Sequence, residues 1–356
     1  MAYTNIDDPS AYFQATTYTG GGANTEVTNS GNSDLKPDFL WIKNRTAAYG
    51  HFVVDSNRNI SYAQNSSNAP YLETESTAVE NNNQNWMASV NTNGFTTGIA
   101  EHINNNAGSA FVAWQWKANG GTTASNTDGT VTTTTQVNSD AGFSIVTWAG
   151  GGTGTLGHGL GETPDMWIIK NRDYAVSWAV GFSDSSILGG RSKYLQLNTT
   201  NAISTYNNFW GTSDGQISST TIGAAGDRTI NISGNDYVGY FFKAKQGYSK
   251  FGKYVGNGNA NGTFVYTGFK PAFLLWKITS TTGDWRLVDT KRGVNGAIPR
   301  IKPNATSAEG SAGDNVDLLS NGFKFRSTAA SANASGASYI YMAFAENPFT
   351  TSTGIP

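Results

Sequence analysis

The sequence contains no cysteine. A disulfide framework, a thiolate zinc site and a cysteine nucleophile are excluded with it. Charge is scarce as well: Asp, Glu, Lys and Arg make up 13% of 356 residues, and the formal net charge is −2. A nucleic-acid surface needs clustered Lys and Arg, so no nucleic-acid partner is expected. The three histidines, His51, His102 and His158, stand far apart without a ligand-spaced partner, and no metal or other cofactor is expected. No apolar run approaches the roughly 18 residues of a membrane span. The segment Met1–Pro9 lacks the basic stretch and apolar core of a signal peptide. The expectation is a soluble chain made in a cytoplasm. No amphipathic helix of useful length is evident either.

What the chain has is aromatics, at 12% of residues, and polar residues that are mostly Asn, Thr, Ser and Gly. These suit strands and turns rather than helices. One stretch is written three times: Pro37-Asp38-Phe39-Leu40-Trp41-Ile42-Lys43, Pro164-Asp165-Met166-Trp167-Ile168-Ile169-Lys170 and Pro271-Ala272-Phe273-Leu274-Leu275-Trp276-Lys277. Each is a proline, a short apolar run and a lysine, which predicts a buried β-strand with proline at its start. The tryptophan falls four, three and five residues after its proline. Those offsets point to opposite strand faces, so the strand is expected to be covered on both sides.

The prolines stand 127 and then 107 residues apart (37 to 164, 164 to 271). Such spacing marks domain-sized repeats, not solenoid units. Repeat 1 is expected over 1–118, repeat 2 over 119–246 with an extra N-terminal hairpin, and repeat 3 over 247–356. Asn119–Asn126 reads as a flexible linker. Each repeat closes on an alternating strand, with Val112, Trp114 and Trp116, then Val238, Tyr240 and Phe242, then Ile340, Met342 and Phe344 on its core face. The fold expected is all-β: three tandem β-sandwich domains of jelly-roll or lectin-like type.

Several stretches, spread over nearly the whole chain, resemble repeat-containing virion structural proteins of marine tailed phages, those of cyanobacteria and of other abundant ocean bacteria. They are Ile6-Asp7-Asp8-Pro9-Ser10-Ala11-Tyr12-Phe13, Pro37–Arg45, Asn126–Thr130, Ala141–Thr147, Gly157-His158-Gly159-Leu160-Gly161, Gly247–Gly252 and Tyr341–Phe349. The resemblance implies a non-enzymatic tail fibre or tail appendage, located in the virion and made in the host cytoplasm. It would assemble with other virion proteins, as a homo-oligomer, and present a surface to a host glycan or protein receptor. A capsid decoration or head fibre, a glycan-degrading tailspike and a free carbohydrate-binding module are the alternatives. Repeat 3 departs from the pattern, with Ala272 in place of Asp and Ile278-Thr279 in place of Asn-Arg.

Four residues are the candidate binding contacts. Trp178 and Trp285 hold similar positions after their proline strands, and Trp210 lies in a polar, loop-like run. Aromatic faces of this kind suit sugars and proteins alike; the competing reading for Trp210 is packing beneath a long loop. His158, among glycines, is either a tight turn or a ligand-contacting loop. A tailspike would need two facing carboxylates, for which Glu162 with Asp165 and Asp284 with Asp289 are the candidates. The glycine runs at 20–22 and 150–152 lack the Lys-Ser/Thr of a phosphate loop. The Lys-Asn-Arg runs at 43–45 and 170–172 read as solvated charges or pairs with a nearby Asp.

Overall fold

The computed structural model describes residues 4, 6–58, 70–81, 86–99, 102–310 and 314–347. The C-terminal tail, much of the Asn-rich stretch after Asp55 and the Pro348-Phe349 end of the last motif lie outside the described residues. The fold is all-β, built of antiparallel sheets.

Each repeat forms the same inner sheet. Its order is opening strand, closing strand, proline strand, following strand. In repeat 1 these are Phe13–Thr19, Ala110–Trp116, Phe39–Asn44 and His51–Asp55. In repeat 3 they are Ser249–Val255, Ser338–Phe344, Phe273–Ile278 and Arg286–Asp289. In repeat 2 they are Phe143–Ala149, Asp236–Phe242, Met166–Asn171 and Ala179–Phe182. That sheet grows to eight strands through the expected hairpin partner Thr133–Asn138, with Ala124–Asn126 beyond it, and through Lys193–Gln196 and Ser204–Thr205 on the far side. A smaller outer sheet covers each inner one. It is Glu26–Thr28, Gly94–Thr97 and Met87–Asn91 in repeat 1, Gly154–Gly157 and Thr221–Ala224 in repeat 2, and Phe264–Tyr266, Gly322–Phe325 and Val316–Leu319 in repeat 3.

All residues of the three proline strands are buried, because each strand has a core on both faces. One face joins a central cluster to which all three repeats contribute, including Phe39, Trp114 and Trp116, Phe143, Ile168 and Tyr240, and Phe273, Met342 and Phe344. The other face joins a satellite cluster beneath that repeat's own outer sheet. Trp41 points to the centre, whereas Trp167 and Trp276 point outward. Size is traded locally. Trp167 packs across Gly181, where an added Cβ would stand 2.4 Å from its ring. Repeats 1 and 3 place Leu40 with Val54 and Leu274 with Val288 at the matching positions. A well-packed core tolerates such swaps when volume is kept.

The expected linker is tied down. Ala124–Asn126 pairs with the hairpin, and Asp38 accepts from the amides of Ala118 and Gly120 at 2.7 and 2.9 Å. The repeats are therefore not strung in series on a loose joint.

One set of contacts, used three times, joins them. Lys43 Nζ donates to Asn44 O and across to Thr306 O of repeat 3, 3.1 Å away. Lys170 Nζ donates to Asn171 O and across to Thr77 O of repeat 1, 3.2 Å away. Lys277 Nζ donates to Ile278 O and across to Thr200 O of repeat 2, 3.3 Å away. Repeat 1 holds 3, 2 holds 1 and 3 holds 2, so the ring closes. Backbone amides follow suit: Glu80, Ile203 and Glu309 donate to the carbonyls of Arg172, Thr279 and Arg45. Lys43 and Lys170, expected as solvated charges, are thus fully buried. Desolvation lowers all three lysines to a pKa of about 8, against the weaker pull of Glu75 on Lys43 and of Asp284 on Lys277.

Two of the three interfaces add charge. Arg45 grips Glu309 and Arg172 grips Glu80, each through two hydrogen bonds. Behind them Arg292 bridges Asp289 to Glu309, and Arg58 bridges Asp55 to Glu80. Trp114 Nε1 and Tyr240 Oη donate to the same two aspartates at 2.9 and 2.7 Å. The third interface has Thr279, Ile203, Phe182 and Met342 in the corresponding places, a largely apolar joint against the central core. This accounts for Thr279 in place of arginine in repeat 3: Ile203 stands where the other two interfaces have Glu80 and Glu309.

Candidate functional site

The four predicted binding residues are inside the protein. Trp178 is 1% exposed, Trp210 1%, Trp285 0% and His158 0%. Trp178 and Trp285 belong to the ring of contacts just described. Their Nε1 atoms donate across repeat boundaries to Glu73 O and Gln196 O at 2.9 and 2.8 Å. The matching residue of repeat 1 is His51, opposite Lys43. Its Nε2 donates to Lys302 O at 3.0 Å, while Nδ1 accepts from Trp41 Nε1 at 2.8 Å. Those roles need the neutral ring, and burial next to Lys43 lowers its pKa to about 3. Trp210 donates to Lys193 O and packs edge-on against Trp167, 5.1 Å between centroids. His158 Nδ1 accepts from Leu160 N, its ring stacks on Phe241, and Gly159 and Gly161 follow it at φ of 74° and 73°. It is the tight-turn residue, held neutral by a burial that lowers its pKa to about 4. None of the four offers a ring face to a ligand, because each is needed to seal a strand junction.

The carboxylates are also in use. Asp165 accepts from Ala244 N and pairs with Lys243, and Glu162 pairs with Lys245. Asp284 pairs with Lys302 at 2.7 Å, and Asp289 is buried against Arg292. Neither candidate pair forms two free, facing carboxyl groups. Among the described residues no group of three or more His, Asp or Glu side chains is placed to hold a metal ion. The glycine runs serve buried asparagines: Asn105 and Asn231 accept from Gly21 N and Gly151 N at 3.0 and 3.1 Å. In repeat 3 Asn333 accepts from Asn257 N at 3.0 Å in the same way.

Exposed aromatic surface occurs elsewhere, on the outer sheet of repeat 3. The strand Phe264–Tyr266 alternates exposed, buried, exposed. Val265 enters the satellite core, while Phe264 and Tyr266 face solvent at 42% and 53% exposure. Phe264 sits across from Lys324, which sits across from Asp317; Tyr266 sits across from Gly322, then Leu319. Lys250 Nζ lies 5.2 Å from the Tyr266 ring centroid and donates to Tyr266 O at 2.9 Å, which orients the ring.

Repeat 1 provides an internal comparison. Val27 pairs with Phe95 as Val265 pairs with Phe323. The same register sets Glu26 and Thr28 where repeat 3 has Phe264 and Tyr266, with Thr96, Ser89 and Asn91 beside them. The turn glycine is common to both for a backbone reason: a Cβ on Gly94 or Gly322 would strike Val27 O or Val265 O. The sheet therefore forms with a wholly polar outer face, and folding does not require aromatics there. The signal was present as Phe264-Val265-Tyr266, but this strand lies six residues before its proline and its counterpart ten before, Val265 to Pro271 against Val27 to Pro37. Unequal loops hide the match from any fixed spacing.

Residues 8–348 match one family model, described as a domain of unknown function (DUF7483). The chain belongs to that family. No curated protein and no solved structure matches it. The matched span takes in all three repeats, so the family's unit includes the closed ring and not one repeat alone. Among the described residues no helix is long and apolar enough to cross a membrane.

Proposed function

We propose that this protein is a non-enzymatic structural component of a phage virion, part of a tail fibre or tail appendage, whose outer face on repeat 3 contacts the host surface. The observation that carries the reading is the aromatic pair Phe264 and Tyr266, exposed where repeat 1 builds the same sheet with Glu26 and Thr28. Exposing large rings that the fold does not need is unfavourable unless something covers them in use. The closed ring of repeats supports a mechanical role, since each repeat is held by both others through buried contacts. The motif resemblance to virion proteins of marine phages points the same way. Engagement of all four candidate carboxylates weighs against the tailspike alternative.

Two measurements test this. Gold-labelled antibody against the purified chain should decorate the tails of intact particles; decoration of capsomers would overturn the tail assignment. Purified protein should compete with particles for adsorption to host cells, and the double variant Phe264→Glu/Tyr266→Thr should not. Equal competition by both would remove repeat 3 from the attachment surface.

A further inference from the structure

The same face carries enough chemistry to indicate its ligand class, on the premise that it is an attachment surface. Its size comes first. Two rings side by side on one strand, about 7 Å apart along it, are far short of the roughly 800 Å² per partner of a stable protein interface. Across the sheet Lys324 and Asp317 follow Phe264, and Gly322 and the half-buried Leu319 follow Tyr266, so these strands extend the apolar patch by one leucine. An area of that size fits one or two sugar rings, whose C–H faces are attracted to the negative face of an aromatic ring.

Its charge comes second. Three cations border the rings: Lys250 over Tyr266, Lys324 across from Phe264, and Arg326 two residues after Lys324. One acid, Asp317, lies among them, and it is paired with Arg326 at 2.6 Å. Lys324 and Lys250 therefore leave the border net positive, although the whole chain is formally −2. In repeat 1 the corresponding positions are Thr96 for Lys324 and Gln14 for Lys250. The aromatic rings and the two lysines are introduced together, in one repeat, at positions where the fold accepts neutral residues.

We infer that this face binds an anionic saccharide chain, with sugar rings stacked on Phe264 and Tyr266 and a carboxylate, sulfate or phosphate group drawn to Lys250 and Lys324. The full chain is titrated calorimetrically with oligogalacturonate, with dextran sulfate fragments and with neutral dextran fragments of matched length, at low and high salt. At least one anionic probe should bind, about tenfold or more tighter than dextran, and more weakly in high salt. Phe264→Glu/Tyr266→Thr should abolish binding with an unchanged urea midpoint, because repeat 1 folds with those residues. Lys250→Gln/Lys324→Gln should lower affinity about tenfold and flatten the salt dependence. Equal binding of dextran, or no effect of the lysine pair, overturns the anionic assignment. Failure of every saccharide to bind, while the aromatic variant still loses competition for host cells, overturns the saccharide assignment and leaves the attachment surface standing. Unchanged competition by that variant overturns both.

Discussion

Stability should rise, not fall, as solution is made moderately alkaline. Lys43, Lys170 and Lys277 are fully buried, and burial lowers each from 10.5 to about 8. Between those two values the unfolded chain holds a proton that the folded chain has released. Unfolding then binds protons, so raising the pH disfavours it. For one lysine the gain between pH 7 and pH 10 is roughly 2.5 kcal/mol, and three independent lysines set an upper bound of about 7 kcal/mol. The other shifted groups leave the window from pH 8 to 9 to the lysines. His51 and His158, at about 3 and 4, have completed their contribution by pH 7. Glu75, raised to about 7 by burial, costs stability as pH rises from its unfolded value and is finished by pH 8. The buried Tyr18, Tyr240, Tyr248 and Tyr254 are raised well above 10, and Tyr237 and Tyr341 to about 12, so they begin to remove stability from about pH 9, as their unfolded counterparts start to ionise. A maximum between about pH 9 and 10 is expected. The assay is urea unfolding followed by far-ultraviolet circular dichroism from pH 7 to 11. Replacing the three lysines by methionine removes the charge and takes a donor from two carbonyls per site, at about 1–3 kcal/mol for each one left unpaired; Thr200 O keeps the Gly283 amide. That variant should lose the alkaline rise. A parent that is flat or falling from pH 8 to 9, or a triple variant that keeps the rise, would refute the argument.

Three further outcomes follow from the packing. Trp167→Leu should cost about 2–4 kcal/mol through a cavity beside Trp210, and Gly181→Val should cost at least as much through its clash with the Trp167 ring; the double variant, which recreates the Leu/Val pair of the other repeats, should recover much of both in a denaturation cycle. Glu309→Gln leaves Arg292, whose side chain is fully buried, without half of its counter-charge, and should lower unfolding free energy by about 3 kcal/mol, more than any exposed Glu→Gln change. His51→Trp installs the residue of the other two repeats but removes the acceptor of Trp41 Nε1, at about 1–3 kcal/mol; adding Trp41→Leu should restore it, since Leu275 and Trp285 hold those places in repeat 3. If His51→Trp alone is neutral, that hydrogen bond is not what retains histidine there.

Much of the architecture was readable locally. Strand character follows from short apolar runs between turn residues, and three copies of one run mean three copies of one sheet. The shifting tryptophan announced a strand buried on both faces, and Trp41, Trp167 and Trp276 do divide between two cores. The hairpin into Phe143 and the Asn-Gly-Phe turns were likewise legible, because a turn is decided by neighbours in sequence. Sites fared otherwise. Trp178 and Trp285 were conspicuous as repeated aromatics after a strand, yet their partners, Glu73 O and Gln196 O, lie 105 and 89 residues away. Nothing local says whether such a ring meets solvent or the neighbouring repeat. Phe264 and Tyr266 had the opposite fate, an ordinary-looking strand whose two rings are left about half exposed.

The sequence by itself determined that this is an all-β protein of three repeats with strands too apolar to leave uncovered. Only the tertiary structure decided that the third repeat returns to the first. Arg45 reaches Glu309 across 264 residues, and Lys43 reaches Thr306 across 263. Side-chain alternation dictates which face of a strand is apolar, but not which other strand will cover it. That choice belongs to the closed ring as a whole, because a lysine or tryptophan at a repeat's edge is buried only once the last repeat has docked against the first.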